Sequence, residues 1–179
     1  PYTDKSLMRN VLIYKMARDA GRYASRSHYF ELVLNGDYRG VYVMLEKVKK
    51  DNNRVDIATL NPDDVSGDDL TGGYIVKIDK WDGENVAGWY SDPQLENYSG
   101  FYYQYHYPKP DDIVPEQQEY IINYLDNFEQ VMISENFSDS TSGYASIINW
   151  YSFVDFFIMQ EITKNVDGYR LSSYLYKDK

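Results

Sequence analysis

ELVLNGDYRGVYVMLEKV, running from Glu31 to Val48, places two β-rich runs around an Asn35-Gly36 pair. Asn and Gly both tolerate positive φ, which a two-residue hairpin turn demands. The stretch therefore predicts an antiparallel hairpin, with strands over His28 to Leu34 and Tyr38 to Val48. With the hairpin in a sheet-rich first part and two long helices in the second, the order of elements argues α+β.

The segments on either side support that class. Upstream, Asp4 to Gly21 carries Leu7, Met8, Val11, Leu12 and Met16 at helical spacing, with Asp4 or Ser6 as an N-cap and Gly21 past the end. Downstream, Asp51 to Asp69 is polar and acidic, with one short element expected at Val55 to Leu60. Gly72-Gly73 introduces a short strand, Tyr74 to Asp79 (YIVKID), and Trp81 to Pro110 reads as a loop holding a short strand or two. Pro115 to Ile133 is predicted helical, with Pro115 in an early position and a stripe of Ile121, Ile122, Leu125, Phe128, Val131 and Met132. Ile147 to Thr163 is apolar round most of its circumference, which predicts a buried helix. Asn165-Val166-Asp167-Gly168 ends it, and Leu171 to Tyr176 alternates like a strand. No internal repeat is seen.

Composition narrows the chemistry. The 179 residues are 43% hydrophobic, which suits a packed domain and argues against disorder. A net charge of −10 argues against general nucleic-acid binding, which needs clustered cations. With no cysteine, disulfides, thiolate metal sites and thiol nucleophiles are excluded. No apolar run reaches transmembrane length. Twenty tyrosines suit half-wet cores and equally suit glycan or protein surfaces.

Four residues could carry chemistry. Lys77, late in an apolar strand, can offer a point charge to phosphate oxygens or simply sit on the wet face. Glu46, in an otherwise apolar strand, either faces solvent beside Lys47 and Lys49, or orients a phosphate-binding lysine or contacts the nucleotide. Asp167, in a tight turn between a helix and a strand, either caps local amides or serves as a general base. Arg170, three residues on, could stabilise charge on a transferring phosphoryl group. His28 and His106 lack metal spacing and receive no role.

Taken together, DKSLMRN, ELVLNGDYRGVYVMLEKV, GGYIVKID and SFVDFFIMQEITKNVDGYRLSSYLYKD resemble the spore coat protein H (CotH) kinase family, and most closely its Bacteroidetes-type members. The resemblance covers nearly the whole chain. It implies an atypical protein-kinase-like fold, with a sheet-rich nucleotide lobe over 1–110 and a helical lobe over 111–179 whose catalytic-loop-like segment is 164–172. It also implies ATP- and Mg²⁺-dependent phosphorylation of serines on secreted or cell-surface proteins, outside the cytoplasm. Carried over by position, Asp167 with Arg170 is catalytic, while Lys77, Glu46 and Arg9 bind nucleotide. Ser172 stands at a metal position where the family's prototypes have Asn. The family pattern continues into a WDFD- or WDFN-like segment carrying the principal magnesium ligand, so residues 1–179 alone are expected to transfer phosphate weakly or not at all.

Two other functions fit the residues. One is a non-catalytic, pseudokinase-like surface module that binds glycans or host proteins through FYYQYHYPKP and Trp81 to Tyr90. The other is a glycan-active enzyme built on two facing carboxylates.

Overall fold

The computed structural model describes residues 4–81, 86–91 and 100–179. Parts of the loop expected over Trp81 to Pro110, residues 82–85 and 92–99, lie outside the described residues. Helices and two antiparallel sheets make the chain α+β. It divides into two compact units, Pro1–Val48 with Tyr151–Asn165 and Lys49–Trp150 with Val166–Lys179.

In the first unit, helix α1 spans Arg9–Asp19 and starts later than the sequence suggests. Asp4 and Ser6 organise the approach to it. Asp4 Oδ1 accepts from the Ser6 amide at 3.1 Å, and Asp4 Oδ2 accepts from the Arg9 amide at 3.3 Å. At the far end the Gly21 amide bonds to Arg18 O and the Arg22 amide to Ala17 O, the paired bonds of a Schellman cap. Strands β1 (Ser27–Leu34) and β2 (Asp37–Leu45) form the expected hairpin. Asn35 and Gly36 take φ values of 52° and 83°, as a mirror-image turn requires. Leu32 pairs with Gly40 and Val33 with Tyr38, so Arg39 is the extra residue of a bulge.

Helix α4, Trp150–Thr163, begins three residues after the expected start, because Ile147 first closes a 3₁₀ turn over Tyr144–Ser146. The expectation that this helix is buried fails. Of its residues only Gln160 is buried, and Phe157 and Ile162 are 55% and 61% exposed. A helix that is apolar all round needs a surrounding layer, and among the described residues that layer does not close.

The second unit is built on a four-stranded antiparallel sheet in the order β4-β5-β3-β6. Its strands are β3 (Tyr74–Ile78), β4 (Gly88–Tyr90), β5 (Tyr102–Tyr107) and β6 (Ser173–Lys177). A four-residue helix α2, Gly67–Leu70, precedes β3. Val55 to Leu60 forms no strand, yet Val55, Ile57 and Leu60 are buried. Helix α3, Pro115–Ile133, has the predicted bounds. Tyr74, Val76 and Ile78 of β3 share one core with Tyr103, Ile113, Ile121 and Leu125. Met132, expected in the stripe, is exposed at the end of the helix. Gly72 and Gly73 precede β3 because nothing larger fits: a Cβ at Gly72 would lie 2.2 Å from the Lys179 backbone nitrogen, and one at Gly73 2.6 Å from Ala58 O.

Gln117 is fully buried in the first turn of α3. Its Nε2 donates to Asn61 O at 2.7 Å and Asp64 O at 3.2 Å, and its Oε1 accepts from the Val114 amide at 3.3 Å. Gln117→Ala would leave all three groups without this partner, so a loss of about 3 kcal/mol is expected in urea unfolding. A loss below about 1 kcal/mol would show that the loop does not depend on this side chain.

The tyrosines of this core set an alkaline limit. Burial, with Tyr102 beside it, pushes the Tyr105 phenol up to about 12, and burial with Tyr120 beside it pushes Tyr74 up as well. The folded state thus favours the neutral phenols. Their contribution is complete below the unfolded tyrosine value of about 10 and is lost as the pH rises through about 12 for Tyr105. Circular dichroism against pH should show unfolding in that window, and Tyr105→Phe should move it to higher pH.

Candidate functional site

Alternation along β3 sorts its side chains onto two faces. Tyr74, Val76 and Ile78 enter the core, which leaves Lys77 on the opposite face with its cross-strand partners Gln104 and Tyr174. Asp79, just past the strand, lies on the Lys77 side. Lys77 Nζ donates to Asp79 Oδ2 at 2.5 Å, and the two side chains are 25% and 15% exposed. Asp79 Oδ1 accepts from the Lys80 amide at 2.9 Å.

A second segment meets the same carboxylate. The loop after α4 turns at Asp167, whose backbone carbonyl accepts from the Arg170 amide at 3.1 Å and the Leu171 amide at 2.9 Å. Ser173 then enters β6 opposite Ile78, and its hydroxyl donates to Gly168 O, which closes the loop. Ser172, at the hinge between loop and strand, takes a φ of 54°. There its Oγ donates to Asp79 Oδ2 at 3.1 Å. One carboxylate oxygen therefore receives both the β3 ammonium and the hydroxyl at the head of β6. Burial alone would raise the Asp79 carboxyl. The Lys77 hydrogen bond and charge, the Lys80 amide and the Ser172 hydroxyl outweigh it and hold the group below the ordinary carboxylate value.

Asp167 is half-exposed, and its Oδ1 accepts from the Arg170 guanidinium at 2.8 Å. The backbone carbonyl, rather than the carboxylate, holds the two amides of the turn. Of the other expected residues, Glu46 and Arg9 belong to the first unit. Glu46 follows β2 rather than lying inside it; its Oε1 receives Arg26 Nε at 3.0 Å together with the guanidinium NH2, and its Oε2 receives the Arg26 amide at 3.3 Å. It is a largely buried acid paired with Arg26, not the phosphate-binding lysine that the sequence suggested. Arg9 projects outward, 84% exposed, with Nε 4.0 Å from Asp4.

Asp79 was not singled out by the sequence reading. The signal was present in the KID triplet, since residues i and i+2 of a strand share a face.

Among the described residues, no group of three or more His, Asp or Glu side chains converges to hold a metal ion. Ser172 Oγ, at the head of β6, is the hard oxygen free of an ammonium here, since Asp79 Oδ2 beside it holds Lys77. Magnesium commonly takes one or two protein oxygens, with waters and substrate phosphates completing its shell. This donor set fits a nucleotide-borne magnesium better than a free-standing ion.

A family model described as CotH kinase protein matches residues 1–179. The chain belongs to the CotH kinase family. No curated protein and no solved structure matches it. Family membership makes a kinase-like function the frame for these residues. No helix among the described residues is long and apolar enough to cross a membrane.

The φ of Ser172 also bears on the family pattern. Asn is among the few non-glycine residues at ease in the left-handed region, whereas a β-branched residue is strained there. Ser172→Asn should leave stability within about 0.5 kcal/mol of the parent, and Ser172→Val should lose about 1–2 kcal/mol, both read from denaturant unfolding. Equal losses for the two would contradict this assignment.

Proposed function

We propose that this CotH-family chain belongs to an ATP-dependent serine kinase acting on secreted or cell-surface proteins, outside the cytoplasm. The supporting observation is the contact chain Lys77–Asp79–Ser172, which joins β3 to the segment that begins at Asp167. Lys77 holds phosphate oxygens of the nucleotide. Asp167 orients the substrate serine and accepts its hydroxyl proton as the serine oxygen bonds to the γ-phosphorus and the bond to ADP breaks. Arg170, now on Asp167, is within reach to offset charge developing on the transferred group. Bound magnesium would neutralise phosphate charge, with Ser172 Oγ as one of its oxygens. Glu46 and Arg9 enter as nucleotide-binding residues on family resemblance alone.

A second reading is a non-catalytic surface module of the same family. It is favoured by Ser172 at the Asn position and by the exposure of Trp81 and Tyr90, at 59% and 62%. Such a module would bind glycans or proteins through these rings.

Labelled ATP with magnesium and casein as acceptor, applied to full-length protein, separates the two. The kinase reading expects Asp167→Asn to cut transfer by about 10²–10⁴ with nucleotide affinity little changed. It expects Lys77→Ala to weaken nucleotide binding itself. A full-length protein that binds no nucleotide at millimolar concentration, and transfers no phosphate, would contradict it.

A further inference from the structure

Lys77 is the group that any phosphate-binding role asks most of, and lysine suits that role poorly when left alone. Its ammonium sits on a four-carbon stem with many rotamers, so a free lysine is a diffuse charge. Here the stem leaves β3 between Gln104 and Tyr174, and the ammonium ends on Asp79 Oδ2 at 2.5 Å. Asp79 is itself fixed. Its other oxygen takes the Lys80 amide, and the oxygen that meets Lys77 also takes the Ser172 hydroxyl. The carboxylate is therefore held by the Lys80 amide and the Ser172 hydroxyl and has little freedom to follow the ammonium. Lys77 must come to it.

We infer that Asp79 is a positioning residue, which fixes the Lys77 ammonium and the Ser172 hydroxyl at one point so that both face the nucleotide phosphates together. This rests on the nucleotide reading above. Asp79 does not touch phosphate, because a carboxylate facing phosphate would repel it. It acts through Lys77, by lowering the entropy lost when that side chain is ordered on a ligand. A solvated-face ion pair would also give a short Lys–Asp distance. It would not explain why the hydroxyl of the neighbouring strand bonds to the same oxygen.

The test is a double-mutant cycle on full-length protein, read as affinity for a fluorescent ADP analogue with EDTA present, so that no metal enters the readout. Asp79→Asn keeps the shape and can still accept the Lys80 amide, but it removes the charge and puts an NH2, which cannot accept, where Oδ2 takes Lys77 and Ser172. It should weaken binding about tenfold, and on a Lys77→Ala background it should change binding less than about twofold. Asp79→Glu should recover part of the loss. Circular dichroism of each variant separates unfolding from a local effect. Equal losses from Asp79→Asn in both backgrounds would make Asp79 a structural residue and overturn the inference, while leaving the nucleotide reading standing. Parent protein that does not bind the analogue at all would overturn the nucleotide reading and this inference with it.

Discussion

Strand β3 is paired on both edges, to β5 and to β6, and this double pairing is the constraint from which the second unit follows. A strand held on both sides cannot slip by one residue without exchanging its faces. Tyr74, Val76 and Ile78 therefore go to the core with Ile121 and Leu125, and Lys77 is obliged to leave on the other side. The same register places Ser173 opposite Ile78, which brings the residue before it, Ser172, to the end of β3 where Asp79 waits. Packing on one face and polar chemistry on the other thus have a single cause.

The polar cluster is economical in its sources. In the protein kinases a helix supplies the acid that orients the phosphate-binding lysine. Here an acid two residues further along the lysine's own strand makes the ion pair, and strand alternation guarantees that the two share a face. The arrangement binds the loop after α4 into the same network, because Ser172 closes onto the carboxylate and Ser173 closes onto Gly168. Asp167 lies within that closed loop, with its backbone carbonyl used up by two amides and its carboxylate left accessible apart from Arg170.

Much of this was legible in the residues, and the parts that were not share a reason. The hairpin was readable because Asn35-Gly36 is a local signal with a local cause, and α3 because its stripe and Pro115 are local too. Lys77 could be placed on a strand, and the KID spacing already put Asp79 on its face, but that Ser172 meets the same carboxylate depended on the register of β6 against β3. Nothing in its own segment marks Gln117, since its role depends on Asn61 and Asp64, more than fifty positions upstream. In sequence Glu46 reads as facing solvent, or as orienting a phosphate-binding lysine or contacting nucleotide, whereas the hairpin register sets Arg26 against its carboxylate. The apolar circumference of α4 was read correctly as composition, and burial did not follow from it.

The central claim is that the Lys77 face of β3 receives nucleotide phosphates. A crystal structure of full-length protein with magnesium and a non-hydrolysable ATP analogue tests this most directly. The account predicts phosphate oxygens within hydrogen-bonding distance of Lys77 Nζ, with Asp79 still on the ammonium and the Asp167 carboxylate directed at the terminal phosphate. Nucleotide bound elsewhere on the chain, with Lys77 and Asp79 still paired and untouched by phosphate, would contradict it.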